Sequence, residues 1–523
     1  MTNGRTLARA GLIVTGAFFA SRLLGGVRSA VIGAEFGAGP ELDSFLAAFR
    51  IPDVIFQLVA AGALSSALIP IVAGLHAADE DARAWRVAST VTTLMMAVLL
   101  VLAAVVALAA PVIVPAITYG FPAAQSAKTA ELTRIMLLSP IFLALGSMAT
   151  TLLNTRNRFG ASAVAPLAYN GAIIGAAVML GPTMGITGLA IGVVAGSICH
   201  ILVQLGPLRA IGFRYRPSID LADPEARQAL LLMAPRAIGL GASQLTFLVA
   251  TALLSSQPPG SLTAFTFGFT LFQIPFGVIG VPIGIVALTS LSRDLARGDV
   301  DSYLTLLTRS MRLILFVMLP IVGLTMVLRT EVVTLVFDWG RFSAAGVAAT
   351  AVALLLLILA LPSESLTAIL ARAFYASRDT ATPVVAAVVA VAINTSFAIL
   401  AIGSLGLAAV AIGIVLGSWV EAAFLVVVLR RRRPAFAAGS VAAAAPRMIV
   451  AAAAAAAVAA LVLGASQAML GVDPSKATVL VELVAATGAG GLAYLGLSSL
   501  FRVPEVRTLF DLAVAAVRRE PAE

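Results

Sequence analysis

Apolar stretches long enough to cross a membrane recur along the whole of this chain. Of its 523 residues, 60% are hydrophobic and only 11% are charged, and the mean hydropathy is +1.04. A soluble domain carries about 25% charged residues, and no soluble fold could cover this much apolar surface. Spans of roughly 20 apolar residues are typical of membrane-crossing helices rather than of barrel strands. The sequence therefore predicts an all-α polytopic membrane protein.

Hydropathy predicts fourteen transmembrane helices, followed by a short tail. The predicted spans are residues 10–34, 41–75, 87–117, 129–155, 161–181, 185–208, 228–256, 262–292, 307–328, 343–373, 381–402, 405–429, 446–466 and 477–500. Most arginine and lysine residues fall at the N-terminus and in every second loop, so both termini are predicted to be cytoplasmic. In the tail, residues 502–523, charged and apolar residues alternate as in a helix lying on the membrane surface.

The formal net charge of +9 follows from those loops. Arginines at a membrane surface meet anionic lipid, so the basic balance does not require nucleic acid as a partner. Cys199 is the only cysteine, and His76 and His200 are isolated, so no disulfide frame or metal spacing is present. The chain also has no phosphate-binding Gly-Lys-Ser/Thr loop and no Ser-His-Asp set. We expect no enzyme activity, no metal and no cofactor.

An internal repeat organises the first twelve spans. Three pairs of segments resemble each other at spacings of 214, 223 and 217 residues: ASRLLGGVRSAV and APRAIGLGASQL, FRIPDVIF and FQIPFGVI, and TRNRFGASAVAP and ARAFYASRDTATP. The repeat unit is six spans, an even number, so both copies enter the membrane from the same side as parallel lobes. We predict an N-terminal six-helix lobe over residues 1–217, a C-terminal six-helix lobe over 218–433, two extra helices over 434–501 and the tail over 502–523.

Arginines stand at membrane depth in the first predicted span. A charge at the centre of such a helix costs approximately 2.5–3.5 kcal/mol on insertion scales, and these residues usually face a wet interior and mark a pathway. Arg22 lies near mid-depth, and Arg28 follows it by one and a half turns. Gly25 and Gly26 between them would permit a bend that brings both guanidinium groups to one cavity. We predict that Arg22 and Arg28 line a substrate cavity.

The second predicted span adds charges of both signs. Asp43 and Arg50 are seven residues apart and therefore share a helix face, whereas Arg50 and Asp53 are three apart and could pair. Asp43 is either a cavity residue or an exposed acid at a helix start. Arginine forks suit phosphate, so a cationic lining with Arg22, Arg28 and Arg50 suits an anionic substrate.

The C-terminal lobe is nearly neutral. Its candidate cavity residues are Arg236, which could instead be interfacial, and Gln244 and Gln273, which could instead join helices. Glu364 and Glu421 are expected to pair with Arg372 and with the arginines that follow residue 429. A proton or coupling-ion role for these two acids is the alternative.

The quoted motifs resemble the MurJ/MviN lipid II flippase family of the MOP exporter superfamily. The resemblance rests on ASRLLGGVRSAVIGAEFGAG, LDSFLAAFRIPD, AAGALSSALIPIVA, MAPRAIGLGASQL, FQIPFGVIGVPIGIVALTSLSRDLARGD, VFDWGRF and ARAFYASRDTATP, and it covers roughly residues 10–430. It implies a two-lobed, V-shaped, fourteen-helix transporter of the bacterial cytoplasmic membrane. Its substrate would be lipid II, an undecaprenyl-pyrophosphate-linked peptidoglycan precursor, moved from the inner to the outer leaflet by alternating access. Family cavity residues carry over at Arg22, Arg28 and Asp43, and Arg50 stands where the family often has Lys or Arg.

The chain departs from the family pattern at several charged positions. These carry Ser29, Phe56, Gln57, Ala61, Ala250 and Thr270 instead. Three other hypotheses therefore stand beside lipid II transport. One is a divergent paralogue that moves another polyprenyl-linked lipid, and another is a MATE-type ion-coupled exporter of drugs or metabolites. The third is a scaffold that associates with cell-wall synthesis proteins.

Overall fold

The computed structural model describes residues 4–59, 63–470 and 475–507, with the backbone alone at 234–243, at most of 4–19 and at a few further positions. All regular structure in these ranges is helical. In chain order the helices are α1 (Gly4–Phe36), α2 (Pro40–Val59), α3 (Ala63–Ala77), α4 (Asp81–Ile117), α5 (Ala123–Met136), α6 (Ser139–Thr155), α7 (Phe159–Met184), α8 (Ile186–Ala210), α9 (Pro224–Ser255), α10 (Ser261–Pro275), α11 (Val281–Ala296), α12 (Val300–Phe337), α13 (Ala344–Leu357), α14 (Leu361–Ala376), α15 (Ala381–Leu405), α16 (Leu407–Arg432), α17 (Ala438–Leu470) and α18 (Lys476–Leu500).

Short irregular turns join some of these helices into longer rods. A π-helical turn, Phe276–Gly280, connects α10 to α11, and a 3₁₀ turn, Ile358–Ala360, connects α13 to α14. If helices joined in this way are counted as one, the described residues contain 11 helices that are long and apolar enough to cross a membrane. Each coincides with one of the fourteen predicted spans.

The three remaining predicted spans, 10–34, 41–75 and 228–256, fall on α1, on α2 with α3, and on α9. In α1 and α9 part of the helix is described by its backbone alone, and residues 60–62 between α2 and α3 lie outside the described residues. The all-α polytopic fold is confirmed, and the helix order is consistent with fourteen spans. Most of the predicted surface helix, residues 502–523, lies outside the described residues, which end at 507.

Close packing of the backbone divides the chain into two compact units. Unit 1 comprises Met1–Thr263 and Trp339–Gly346, and unit 2 comprises Ala264–Asp338 and Val347–Glu523. In unit 1, α9 packs against α2, α3 and α4, and α1 packs against α7. In unit 2, α17 and α18 pack against α12 and against each other. The predicted lobe boundaries after residues 217 and 433 follow the repeat rather than this packing, and they stay predictions.

The backbone repeats itself at a spacing of 221 residues. Asn157, between α6 and α7, and Arg378, between α14 and α15, both have left-handed backbone, with φ of 56° and 62°. Gly185 and Gly406, which separate the next helices in each half, have φ of 59° and 56°. Left-handed backbone is uncommon outside glycine, so its recurrence at matching places is informative. These two pairs of matching turns support the internal repeat that the sequence echoes predict.

Side-chain packing in α2 resembles that in α10. Phe45 stacks on Phe49 in α2 with ring centroids 6.3 Å apart, and Phe265 stacks on Phe269 in α10 at 6.2 Å. Pro52 follows Phe49 by three residues and Pro275 follows Phe269 by six, so the ring pair and the proline do not recur in the same register. What the two helices share is a stacked pair of phenylalanines upstream of a proline.

Two helix pairs pack through glycine. A Cβ atom at Gly196 of α8 would lie 2.8 Å from the carbonyl oxygen of Tyr169 in α7. Its counterpart Gly417 of α16 would place a Cβ atom 2.7 Å from the carbonyl oxygen of Ala390 in α15. Small residues let membrane helices approach until their backbones touch, which raises the van der Waals attraction that holds helices together in lipid.

We predict that Gly417→Ala lowers the apparent melting temperature of the detergent-solubilised protein by several degrees. The added methyl group must push α16 away from α15, and overpacking of this kind costs about 1–3 kcal/mol. Gly403→Ala is the matched control, because its Cβ atom would meet nothing within 4 Å. That control is expected to be neutral or stabilising, since alanine is the better helix former. Equal melting temperatures for both variants would contradict the packing assigned to Gly417.

Candidate functional site

Arg28 of α1 is held toward α7. It is half-buried, and its Nη1 donates a hydrogen bond of 3.1 Å to Oδ1 of Asn170. Asn170 is itself buried and fixed, because its amide nitrogen donates to the carbonyl oxygen of Pro166 at 2.9 Å. Asn170 lies 142 residues from Arg28, so this contact could not be read from the sequence. The asparagine orients the guanidinium group without neutralising its charge.

Asp43 near the start of α2 is buried, with 3% of its surface exposed. Its Oδ2 accepts a hydrogen bond of 2.6 Å from the backbone N–H of Gly260. Its Oδ1 accepts from the backbone N–H of Thr263 at 2.8 Å and from the Thr263 hydroxyl at 2.7 Å. The carboxylate thus caps the first turn of α10 from another part of unit 1, where N–H groups lack helical partners and favour negative charge. The alternative of an exposed acid at a helix start is wrong.

The turn between α1 and α2 is packed against two other segments of unit 1. The backbone N–H of Arg341, in the VFDWGRF motif, donates to the carbonyl oxygen of Ala34 at 2.7 Å. Gly37 has φ of +70°, and a Cβ atom there would lie 2.7 Å from the carbonyl oxygen of Arg341. At Gly260 a Cβ atom would lie 3.0 Å from the carbonyl oxygen of Ala38. Together with Asp43, these contacts form a latch, by which we mean residues 34–43, 260–263 and 340–341.

Arg50 of α2 lies against α9. Its guanidinium group is 4.0 Å from the Asp53 carboxylate, so the predicted pair forms at the limit of an ion pair. Its Cζ stands 5.1 Å from the ring centroid of Phe247, within the range of cation–π attraction. The buried Nε of Arg50 has no hydrogen-bond partner among the described residues. Arg50 is therefore a weakly neutralised cation within unit 1.

The other predicted site residues are spread over three helices. Arg22 of α1 is exposed. Gln244 of α9 is half-buried, and its buried Oε1 has no hydrogen-bond partner in the described part of the chain. Gln273 lies on α10, in unit 2. Arg236 lies on α9, and its side chain is outside the described residues. Arg22, Arg28, Asp43, Arg50 and Gln244 all belong to unit 1, and the contacts of Arg28, Asp43 and Arg50 are with different partners.

The predicted ion pairs of Glu364 and Glu421 are wrong. Neither acid pairs with a basic side chain in the ranges that the structure describes, and the Arg372 Nη1 donates to the carbonyl oxygen of Ala368 at 2.7 Å instead. Arg372 follows Glu364 by eight residues, more than two helical turns, and its guanidinium group bonds a backbone carbonyl of its own helix one turn back instead. Arg432 pairs with Asp379.

Three of the predicted site arginines lie on the first two helices of unit 1, Arg22 and Arg28 on α1 and Arg50 on α2. Arginine binds phosphate through paired N–H groups and stays charged when partly buried. Among the described residues, no group of three or more His, Cys, Asp and Glu side chains is placed to hold a metal ion. Of these arginines, Arg50 lies beside an acid, Asp53, whose carboxylate is 4.0 Å from the Arg50 guanidinium group.

The repeated membrane helices and the charges within them define a polytopic membrane transport protein. A family model described as "Lipid II flippase MurJ" matches residues 32–480 of the chain. This chain belongs to the MurJ family. The resemblance seen in the motifs is thereby confirmed, and the family is one of flippases rather than enzymes.

Individual relatives agree with the family model. The chain is 31% identical over 425 residues to "Probable lipid II flippase MurJ" of Rhizobium meliloti (strain 1021), covering 79% of this chain and 78% of the relative. It is 30% identical over 386 residues to "Lipid II flippase MurJ" of Burkholderia cenocepacia, covering 72% and 75%.

Solved structures share the fold. A structure titled "Lipid II flippase MurJ, inward closed conformation" matches with a TM-score of 0.76 at 21% identity, over 94% of this chain and 98% of the other. An inward-facing multidrug resistance MATE family transporter of the MOP superfamily matches with a TM-score of 0.65 at 17% identity, over 79% and 95%. At such identities the likeness concerns the fold alone.

We predict that Asp43→Ala speeds amide hydrogen exchange at Gly260 and Thr263 by at least about tenfold. Each hydrogen bond to a charged group is worth about 1.5–3 kcal/mol, and about 1.4 kcal/mol corresponds to a factor of ten. Exchange of a peptide spanning residues 258–265, followed by mass spectrometry, measures the effect. Glu41→Ala is the control, because Glu41 is an exposed acid at the same helix start. Unchanged exchange in Asp43→Ala would refute the capping role.

Proposed function

We propose that this protein is a lipid II flippase that moves its substrate from the inner to the outer leaflet of the bacterial cytoplasmic membrane by alternating access. The family match over residues 32–480 is the observation that carries this proposal. The cationic residues of unit 1 support it, since the pyrophosphate of a polyprenyl-linked glycan is the kind of anion that arginine forks bind.

In this proposal Arg28 is the principal pyrophosphate ligand. One of its N–H groups is bonded to Asn170, which leaves the remaining donors of the guanidinium group for a ligand. Arg22 lies six residues earlier on the same helix and is exposed, so it is placed to attract the incoming headgroup. Arg50, with its unpartnered Nε, and Gln244, with its unpartnered Oε1, would contact the sugar-phosphate from α2 and α9. Arg236 and Gln273 are proposed as further contacts.

Asp43 would act through the latch. Its carboxylate is occupied by Gly260 and Thr263 in the arrangement seen here, so it is not available to a ligand. We propose that these bonds break and re-form in the transport cycle, and that Asp43 meets the substrate only while they are broken. Three bonds to one carboxylate would make this step an all-or-none switch rather than a gradual drift.

Interrupted helices would supply the hinges. Pro52 lies inside α2, and the π-helical turn Phe276–Gly280 follows Pro275 directly. Prolines and π-turns weaken the hydrogen-bond ladder of a helix and are the usual places where it bends. Gly25 and Gly26 of α1 meet nothing within 4 Å of a Cβ position, so α1 can bend there without a clash.

The orientation and the other partners belong to the same proposal. Both termini would lie in the cytoplasm, as the distribution of arginine predicts. Cell-wall synthesis proteins are proposed as neighbours, because they consume lipid II after it is moved. The only support for the MATE-type alternative is that the chain shares its fold with a MATE family transporter to which it is 17% identical. The paralogue and scaffold hypotheses predict that purified protein will not bind lipid II.

We predict that Arg28→Ala, in cells that depend on this copy, lowers outward delivery of lipid II at least about tenfold at unchanged protein level. Losing a charge-assisted phosphate contact costs about 1.5–3 kcal/mol, which corresponds to a factor of about ten to a hundred. Arg28→Lys should retain part of the activity, because it keeps the charge but not the fork. Accessibility of lipid II to an externally added enzyme measures delivery.

Asn170→Ala is the control that separates binding from packing. It removes the partner of Arg28 but leaves the guanidinium group, so lipid II binding by the purified protein should persist. If Asn170→Ala and Arg28→Ala abolish binding equally, Arg28 serves only to join α1 to α7. If Arg28→Ala delivers lipid II normally, the proposed ligand role is wrong.

A further inference from the structure

A cavity lined by arginines lies in unit 1, and none of the site residues discussed above lines it. It has a volume of about 520 Å³ and lies between the first turns of α4 and the non-helical segment 211–222 that connects α8 to α9. Its wall includes the side chains of Trp85, Arg86, Ser89, Arg214, Arg216 and Ser218. Nothing in the family assignment or in the proposed transport cycle uses these residues.

The connecting segment is fixed in place over α4. Phe213 is buried and meets the Trp85 ring edge-on, with centroids 5.5 Å apart. The backbone N–H of Ser218 donates to the Thr93 hydroxyl at 3.3 Å, and that hydroxyl also bonds the Tyr215 hydroxyl at 3.0 Å. Because these contacts hold both ends of the segment, the arginines between them have a defined backbone from which to reach a ligand.

Three guanidinium groups surround the cavity, and no carboxylate of the cavity wall balances their positive charge. Arg86, Arg214 and Arg216 are all exposed, and none forms an ion pair with a residue that the structure describes. The cavity wall contains no aspartate or glutamate. Like charges this close repel one another, so the cluster gains free energy when an anion enters it.

Three carboxylates near this cavity are bound to other basic side chains. A fourth, Asp220 on the same segment, accepts a hydrogen bond of 3.2 Å from the backbone N–H of Asp223 and does not line the cavity. Arg83 binds Asp223 through two hydrogen bonds of 2.9 and 3.2 Å, and this contact keeps the pKa of Asp223 below its ordinary value. Arg83 also bonds Glu80 at 3.0 Å. Asp81 accepts a hydrogen bond from Arg156 at 2.8 Å. The neighbouring acids therefore do not neutralise the three arginines of the cavity.

The same segment exposes large apolar side chains. Tyr215, Ile219 and Leu221 have 47%, 67% and 54% of their surface exposed. The segment runs between Ala210, where one membrane helix ends, and Pro224, where the next begins, so it lies at the level of a membrane surface. Apolar and aromatic side chains beside arginines at that depth are typical of contact with lipid headgroups and the first acyl carbons.

We propose that the cavity walled by Arg86, Arg214 and Arg216 is a binding site for the phosphate of an anionic phospholipid, whose acyl chains lie against Ile219 and Leu221. Guanidinium groups donate to the phosphate oxygens, and the Ser89 and Ser218 hydroxyls complete the polar wall. A free phosphate ion offers the same oxygens, but it would leave the neighbouring apolar side chains exposed to water. The lipid is therefore the occupant that satisfies both halves of the site.

Fluorescence of Trp85 tests this proposal directly. The chain has three tryptophans, so the double variant Trp339→Phe/Trp419→Phe leaves Trp85 as the only reporter, inside the cavity wall. The full-length variant is placed in phosphatidylcholine vesicles that contain a small fraction of a quencher lipid. This lipid bears a nitroxide near its headgroup and is phosphatidylglycerol in one preparation and phosphatidylcholine in the other. We expect phosphatidylglycerol to quench Trp85 at least about threefold more strongly at equal label. Equal quenching by the two lipids would overturn the proposal.

Matched charge variants separate the cavity from general surface attraction. In the same background, Arg86→Gln/Arg214→Gln/Arg216→Gln should lose the preference, so that the two labelled lipids quench Trp85 about equally. Arg158→Gln/Arg209→Gln/Arg227→Gln removes three exposed arginines of unit 1 outside the cavity and should keep the preference. Equal loss in both triple variants would assign the effect to net charge and overturn the site.

Inorganic phosphate distinguishes the two sources of the anion. Added at millimolar concentration and constant ionic strength, it should leave the quenching by labelled phosphatidylglycerol unchanged. Displacement of the labelled lipid by inorganic phosphate would make this a free-phosphate site and overturn the lipid assignment. If the arginine variants fail to fold, the proposal is still tested by comparing how strongly the two labelled lipids quench Trp85 in the protein that keeps all three arginines.

Discussion

Polar groups surrounded by lipid must find partners inside the protein, and this requirement shapes the whole chain. An unpaired backbone group in hydrocarbon costs several kcal/mol, so the described regular structure is helical throughout. Several hydroxyl groups follow the same rule, and two of them, Thr92 and Thr251, donate to the carbonyls of Ala88 and Phe247, one turn back, at 2.7 and 2.8 Å. Asp43 meets it with three bonds from Gly260 and Thr263.

Some charges on the membrane helices remain incompletely compensated, and these are the residues that the proposed function uses. Arg28 has a neutral partner in Asn170, and Arg50 has a distant carboxylate and an aromatic ring. Both keep an uncompensated positive charge on membrane helices, which is costly unless an anionic ligand or water is present for part of the time. Arg83, by contrast, is fully taken up by Asp223 and Glu80 and serves to anchor a connection. The distinction between ligand and anchor lies in the partner rather than in the residue type.

Much of the fold could be predicted, because its signals are local. Hydropathy located the spans that the structure describes, and the echo of Pro52 in Pro275 located the repeat. The 221-residue spacing of residues with left-handed backbone could not be predicted from the sequence. A positive φ angle at a non-glycine residue such as Asn157 or Arg378 has no reliable signature in a single sequence. For the site, sequence reasoning found the charges but missed their partners. Asn170, Gly260 and the VFDWGRF backbone lie 142 or more residues from the groups they bind.

The sequence by itself determined that the chain is a bundle of membrane helices in two related halves, and which helices bear charge. Those properties depend on hydrophobicity, spacing and residue type, which act over one or two turns. Tertiary structure alone decided that Asp43 caps a distant helix, that Glu364 lacks the partner expected from Arg372, and that three arginines near Trp85 share one cavity. Such outcomes depend on which helices pack together, and packing is set by close contacts between segments far apart in the chain.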